Sequence, residues 1–261
     1  MVSQTEYILY KKLDWSYLTT FTFAATLCIY ALHRLVGMKK VQQYKEKYRY
    51  HIIEKYRSHI LLYAICGGAI SAYLFFRLTL QNQLLLFVPA FIAVGYVLPF
   101  FGRQRRLRDF HYIKIFLIAI VWSFITVVLP IVEYMPIWKE IHLLLVLERA
   151  LFIFAITIPF DIRDLQVDKH INVKTLPSVL GEQRSKILSG ILLMMAGGLA
   201  GGLWFIGIYP TPAFFGIYCS YLITGIFIIF SSADRHDYFY TGLMDGMMIL
   251  QFLLVCLFTN L

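Results

Sequence analysis

Eight long apolar runs dominate the chain, and short polar stretches separate them. Each run holds about 20 residues, the length that a helix needs to cross the hydrocarbon core of a bilayer. The runs are apolar on all sides, which is typical of helices buried in lipid and protein together. We therefore predict an all-α, polytopic transmembrane helix bundle that forms a single domain over residues 1–261. The predicted spans are approximately 15–36, 59–77, 84–101, 112–132, 140–160, 186–206, 212–232 and 241–259.

Composition agrees with a membrane protein and excludes an ordinary soluble domain. Hydrophobic residues make up 59% of the chain, and the mean hydropathy is +0.69. The net charge of +9 does not predict nucleic-acid binding, because the basic residues gather between the apolar runs. The four cysteines all fall inside apolar runs, with no spacing typical of a metal site.

The charge of the connections alternates along the chain. Basic residues number seven in 37–58, five in 102–114 and five in 161–186, and the connections near 78–83, 133–139 and 207–211 hold almost none. The positive-inside rule places the basic connections in the cytoplasm. We therefore expect a multi-pass protein of the cytoplasmic membrane. It would have a short N-terminal segment at 1–14, a basic cytoplasmic loop at 37–58 and an aspartate-rich cytoplasmic loop at 161–186.

The aspartate-rich stretch is the strongest sign of chemistry. Asp161, Asp164 and Asp168 are spaced i, i+3 and i+7, so a continuous helix would carry all three carboxylates on one face. Like charges that close together are explained by a cation among them, and hard oxygen ligands suit Mg²⁺. Because Mg²⁺ usually keeps positions for phosphate oxygens, the pattern indicates a magnesium-diphosphate site. A solvated acidic helix end is the alternative interpretation.

Three segments resemble the UbiA superfamily of intramembrane prenyltransferases. Residues 161–168 with Lys174-Thr-Leu-Pro177 resemble its second aspartate-rich motif. Residues 95–114, with Arg103, Arg105 and Lys114, resemble its segment of tyrosine and basic residues between two central helices. Residues 234–246 resemble its last loop and helix. The resemblance runs from about residue 15 to the end of the chain.

The resemblance implies a fold, an activity and a cofactor. The family fold is a bundle of about nine transmembrane helices around a central cavity. Its members bind a polyprenyl diphosphate through two Mg²⁺ ions held by two aspartate-rich motifs, and they alkylate an acceptor. By resemblance, we expect Asp161, Asp164 and Asp168 to be metal ligands and Asp164 and Asp168 to be catalytic. The expected partners are an isoprenoid diphosphate and membrane lipid, without nucleic acid.

The chain departs from the family pattern where the first aspartate-rich motif should lie, near residues 30–42. That stretch contains His33, Arg34, Lys39 and Lys40 and no aspartate or asparagine. One Mg²⁺ at the second motif is therefore expected, and a second has no evident ligands. Fixed positive charge would replace it, with the diphosphate bound by His33, Arg34, Arg103, Arg105, Lys114 and Lys174. The alternative is that His33 and Arg34 only end a helix at the lipid headgroups.

The missing motif leaves two other functions open. A degenerate member would bind an isoprenoid lipid or a membrane partner without turnover. A transporter would use Glu148 and Arg149, which lie in the middle of a span where charges usually face protein or a polar cavity. No inverted repeat supports the transporter. The glycine pairs at 197–198 and 201–202 predict close helix packing.

Overall fold

A computed structural model describes residues 1–38, 53–98, 106–135, 137–170 and 173–260. Within these residues the chain is helical and forms no strand. The contacts divide it into two compact units, one of residues 1–13 and 109–261 and one of residues 14–108. We call them unit 1 and unit 2.

Unit 1 contains most of the helices. It begins with the short helix α1, which is followed after unit 2 by the remaining elements in chain order. The helices of unit 1 are α1 (Val2–Tyr10), α5 (Ile113–Ser123), α6 (Leu129–Tyr134), α7 (Ile141–Arg163), α8 (Leu165–His170), α9 (Leu176–Leu180), α10 (Glu182–Phe205), α11 (Thr211–Phe230) and α12 (Asp245–Asn260). Two π-helical segments, Phe124–Val128 and Phe239–Met244, join α5 to α6 and lead into α12. Helix α7 packs against α5 and α10, and α11 packs against α12.

The described residues of unit 2 include three long helices, α2 (Tyr17–Met38), α3 (Arg57–Phe75) and α4 (Leu80–Val97), and a 3₁₀ turn that starts at Leu107. Helices α2 and α3 form its main contact. Helix α4 begins at Leu80 because the Thr79 side chain accepts the Asn82 N–H as an N-cap. It ends at Val97 because Leu98, which precedes Pro99, is extended.

The predicted membrane fold is confirmed. Eight stretches of the described chain are helical, long and apolar enough to cross a membrane. Their bounds differ from the prediction by a few residues, most at α4, which lies at 80–97 where 84–101 was expected. The predicted aspartate-rich connection is largely helical, since α7 continues to Arg163 and α8 and α9 follow. The single domain stays a prediction.

A proline inside α7 selects one contact between helices. Pro159 has no N–H, so the Ala155 carbonyl four residues earlier loses its helical donor. The Ser189 hydroxyl of α10 donates to that carbonyl at 2.6 Å. Both partners are fully buried. The bond therefore satisfies a polar group that neither water nor its own helix can reach.

Helix α1 is attached in a similar way, although the sequence predicted only a short N-terminal segment. Pro130 of α6 lacks the N–H that would reach the Thr126 carbonyl, and the Thr5 hydroxyl donates to this carbonyl at 2.7 Å. Gln4, Thr5 and Glu6 are all buried. Helix α1 is thus part of the packed interior of unit 1.

Two glycines allow close approach between helices, and they are not the predicted ones. A Cβ on Gly67 of α3 would lie 2.8 Å from the Ala24 carbonyl oxygen of α2. A Cβ on Gly216 of α11 would lie 2.8 Å from the backbone of Val255 in α12. The prediction for the glycine pairs of α10 is wrong at three positions, because a Cβ on Gly198, Gly201 or Gly202 would have no described residue of another helix within 4 Å.

The charges in the middle of α7 form a buried cluster. The Glu148 carboxylate accepts hydrogen bonds from the Tyr221 hydroxyl of α11 and, at 3.2 Å, from the Tyr209 hydroxyl. Arg149 Nε lies 3.9 Å from Glu148 Oε2, and an Arg149 terminal nitrogen donates to Met1 Sδ at 2.8 Å. Burial raises the pKa of Tyr209 well above its usual value, so its hydroxyl stays a donor. The cluster thus joins α1, α7, α11 and the connection before α11.

We expect Ser189→Ala to lower the free energy of unfolding by about 1 kcal/mol, because the Ala155 carbonyl loses its donor. In a Pro159→Ala background, which returns an N–H to that carbonyl, the same change should cost less than half as much. Ser185→Ala is the control, since its hydroxyl donates to the Gly181 carbonyl that also accepts the Ser185 N–H. Unfolding in mixed micelles measures all four variants, and additive effects of Ser189 and Pro159 would contradict the explanation.

We expect Glu148→Ala to lower the free energy of unfolding by about 3–5 kcal/mol, because it leaves Arg149 buried without its counter-charge. Replacing both residues by methionine should cost less than the sum of the two single replacements. Glu182→Gln is the control, since its partly exposed pair with Lys186 should contribute about 0–1 kcal/mol. Thermal unfolding in one detergent gives the comparison, and a Glu148→Ala protein as stable as the control would disprove the charge pairing.

Candidate functional site

Two of the predicted metal ligands meet one buried lysine. Asp161 lies in the last turn of α7, and Asp164 is the residue after the helix ends. Lys114, near the start of α5, places Nζ 2.6 Å from Asp161 Oδ1 and 3.8 Å from Asp164 Oδ2. Asp161 is 1% exposed and Lys114 is 8% exposed. These charges are therefore held by each other and not by bulk water.

Asp164 has a second cationic partner, which the sequence analysis did not single out. Arg163 donates from Nε to Asp164 Oδ1 at 2.9 Å and from a terminal nitrogen to Oδ2 at 3.2 Å. Its guanidinium lies over the rings of Phe160 and Tyr240, and it comes within 3.9 Å of Asp237. This bidentate pairing and the two rings fix the orientation of the Asp164 carboxylate.

The backbone changes direction at Asp164, so the three aspartates do not share one uninterrupted helical face. Asp168 is buried on α8, where its N–H donates to the Asp164 carbonyl. Among the residues that the structure describes, no group of three or more His, Cys, Asp and Glu side chains could hold a metal ion. The structure brings Asp161 and Asp164 to a common cation, Lys114, and places Asp168 on the next helix, where it is buried.

Asp161 and Asp164 nevertheless have the chemistry of a magnesium site. Both offer hard carboxylate oxygens, and the contacts of Lys114 Nζ place both within reach of a single cation. Mg²⁺ in proteins is commonly held by one or two carboxylates and completes its shell with water and phosphate oxygens. Two carboxylates that converge on one point fit this requirement, provided that the lysine nitrogen moves away from them.

A strained turn positions Lys114. Tyr112, the N-cap of α5, has φ 62°, a left-handed backbone conformation that residues other than glycine rarely adopt. Its N–H donates to the Lys174 carbonyl at 2.9 Å, and the Lys174 N–H donates to His111 Nδ1 at 3.0 Å. This pairing joins the start of α5 to the segment before α9. The predicted substrate contact Lys174 thereby belongs to the same neighbourhood as Lys114, and its side chain is exposed.

A second group of candidates lies in unit 2. His33 Nε2 contacts a terminal nitrogen of Arg108, and the Arg108 guanidinium lies over the Tyr96 ring, 5.5 Å from its centroid. Arg34 is exposed on α2. Arg103 and Arg105 lie outside the described residues, as do Lys39 and Lys40. The structure therefore gives His33 a partner, Arg108, that was not among the predicted site residues.

Two sequence signals pointed to the missed residues. Arg163 stands between two aspartates of the predicted motif, and Arg108 belongs to the predicted basic segment. In both cases the sequence showed a basic residue but not its partner, because the contacts depend on the course of the backbone at the helix ends. His111 gave no signal, since its role is to accept a backbone N–H.

Two solved structures share this fold. One is a UbiA homologue from Aeropyrum pernix K1, which matches with a TM-score of 0.65 over 99% of this chain and 93% of its own, at 14% identity. The other comes from work on digeranylgeranylglyceryl phosphate synthase in membranes and matches with a TM-score of 0.60 over 97% of this chain and 89% of its own, at 12% identity. At these identities the similarity establishes the fold alone. No curated protein sequence matches this chain.

The sequence itself identifies the family. The family model of the UbiA prenyltransferase family matches residues 54–239, which is well over half of the chain. The matched stretch contains the Asp161–Asp164 pair, Lys114 and the segment with Lys174. Members of this family generally use Mg²⁺ through aspartate-rich motifs, and they act on isoprenoid diphosphates in the membrane. The chain, whose described residues include eight helices that could cross a membrane, belongs to the UbiA prenyltransferase family.

Proposed function

We propose that this protein transfers a prenyl group from an isoprenoid diphosphate to an acceptor, with one Mg²⁺ held by Asp161 and Asp164. The observation that carries the proposal is the convergence of these two carboxylates on one buried cationic nitrogen at the end of α7. Asp168, one helical turn farther along the chain, would assist at this site. The bound Mg²⁺ would supply electrostatic stabilisation of the negative charge that develops on the diphosphate.

The residues of unit 1 have separate tasks in this reaction. Asp161 and Asp164 bind the metal, and Arg163 holds the Asp164 carboxylate in its orientation. Lys114 and Lys174 bind oxygens of the diphosphate as point charges. The bond between the allylic carbon and the diphosphate oxygen breaks, and its electron pair leaves with the diphosphate. The allylic carbon then bonds to a nucleophilic atom of the acceptor, which loses a proton.

Other parts of the proposal rest on the sequence. The basic connections favour a cytoplasmic membrane with the Asp161 end of α7 in the cytoplasm. His33, Arg34, Arg103 and Arg105 stay candidate ligands of phosphate oxygens on the basis of the sequence alone. A single magnesium site follows because the stretch near 30–42 has no aspartate.

A second candidate function is binding without turnover. The observation in its favour is that the Asp161 and Asp164 carboxylates already have cationic partners in Lys114 and Arg163. A degenerate family member could keep these aspartates only to neutralise the buried cations. It would bind an isoprenoid lipid or a membrane partner independently of metal.

The decisive experiment uses the full chain in nanodiscs with labelled geranyl, farnesyl and geranylgeranyl diphosphates and a panel of aromatic and lipid-linked acceptors. We expect release of inorganic pyrophosphate with Mg²⁺ and none with a chelator. Asp164→Asn should reduce release by about a thousandfold, a loss of about 4 kcal/mol of transition-state stabilisation. Asp234→Asn is the matched control, because Asp234 is an exposed aspartate of the connection before α12.

The outcomes separate the two functions. Release that depends on Mg²⁺ and on Asp164 but not on Asp234 supports the transferase. Binding of a prenyl diphosphate that is unchanged by chelator and by Asp164→Asn, with no release for any acceptor, contradicts the transferase and favours binding alone. A variant that loses release must keep its thermal unfolding temperature, so that loss of fold is not mistaken for loss of function.

A further inference from the structure

The buried ammonium of Lys114 occupies the place where the proposed metal would bind. Its Nζ lies 2.6 Å from Asp161 Oδ1 and 3.8 Å from Asp164 Oδ2, and these are the carboxylates assigned to the metal. A second cation at the same oxygens would meet strong repulsion from an ammonium so close. Lys114 and a divalent cation therefore compete for this site.

Burial makes it unfavourable for Lys114 to leave the two carboxylates. Lys114 is 8% exposed, so an ammonium that leaves the carboxylates gains little water. A buried charge separated from its partner is strongly unfavourable. A divalent cation that binds by itself would therefore have to displace Lys114 at a high cost. An anion that arrives with the metal removes this cost, because its oxygens accept the hydrogen bonds that the ammonium has lost.

Arg163 is poorly suited to the same movement. Its guanidinium makes two hydrogen bonds to Asp164, lies near Asp237 and covers two aromatic rings, so several contacts would break together. Lys114 presents a compact ammonium with three donors on a flexible stem, which can change partners by rotation about its side-chain bonds. The two cations thus have different roles, because Arg163 keeps Asp164 in place and Lys114 is able to move.

We propose that Lys114 couples metal binding to diphosphate binding. Lys114 holds Asp161 and Asp164 in the absence of ligands and transfers to a diphosphate oxygen when the metal and the diphosphate bind together. The site consequently takes both ligands far more readily than it takes the metal alone. This inference rests on the proposed function, since it assumes that Asp161 and Asp164 bind the metal and that the ligand is a diphosphate.

The test measures metal affinity and not turnover. Mn²⁺ replaces Mg²⁺ as a spectroscopic probe. The full chain in nanodiscs is titrated with Mn²⁺ in the absence of diphosphate, and electron paramagnetic resonance measures the concentration of free Mn²⁺. We expect Lys114→Met to bind Mn²⁺ about tenfold more tightly than the unchanged protein, within the usual range of coupling between sites. Lys186→Met is the matched control, because Lys186 also pairs with a carboxylate, that of Glu182.

A second variant keeps the test valid if Lys114→Met does not fold. Lys114→Arg keeps a positive charge beside Asp161. It replaces the ammonium by a planar guanidinium, which can donate two N–H groups to one carboxylate. We expect this variant to bind Mn²⁺ about tenfold more weakly than the unchanged protein, because the arginine binds the aspartate carboxylates more tightly than the lysine does and so competes more strongly with the metal. The two variants therefore shift the affinity in opposite directions.

The coupling itself is measured with a non-reactive farnesyl thiodiphosphate at fixed concentrations of free Mn²⁺. In the unchanged protein, Mn²⁺ should tighten binding of this analogue at least about tenfold more than it does in Lys114→Met. Equal enhancement in both proteins, or weaker binding of Mn²⁺ by Lys114→Met than by the Lys186→Met control, overturns the role of Lys114. If Asp164→Asn leaves all Mn²⁺ binding unchanged, the metal site of the proposed function is wrong. The proposed role of Lys114 in coupling is then wrong as well.

Discussion

The candidate site depends on a buried lysine, Lys114. Because Lys114 is buried, its ammonium requires the carboxylates of Asp161 and Asp164, and this requirement joins the start of α5 to the end of α7. The strained turn at Tyr112 is maintained because its N–H binds the Lys174 carbonyl. The end of α7, the start of α5 and the segment before α9 are consequently fixed together. A change of partner at Lys114 therefore affects the centre of the site.

The need of buried polar groups for partners within the protein also shapes the apolar interior of unit 1. The bilayer core offers no water to a free carbonyl, so the groups that prolines release must find donors on other helices. Ser189 meets the carbonyl freed by Pro159, and Thr5 meets the one freed by Pro130. These bonds select the neighbour and the register of each helix, which apolar packing alone does not do. The few polar residues inside the spans thus carry much of the specificity of the fold.

The sequence predicted the elements of this protein far better than their contacts. Eight spans follow from the length and composition of the apolar runs, and the family follows from residues 161–177 with two weaker segments. The partner of a residue depends on tertiary packing, which periodicity does not encode. The glycines of α10 have the spacing of a packing motif, yet close approach occurs at Gly67 and Gly216. At each of these two positions a Cβ would lie 2.8 Å from the backbone of a neighbouring helix. Lys114 was expected to bind only substrate, although its nearest acidic neighbours were the predicted metal ligands.

Charge balance explains how one motif can serve both as a salt bridge and as a ligand site. The carboxylates of Asp161 and Asp164 pair with the cations of Lys114 and Arg163, and Asp237 lies 3.9 Å from Arg163. A divalent cation alone would add two positive charges to these buried groups, and a diphosphate alone would add negative charge. Binding both together adds charges of opposite sign and gives every cation an oxygen partner. A site of this composition is therefore suited to a metal–diphosphate complex and resists each component by itself, which is why neutralised aspartates do not by themselves indicate a lost activity.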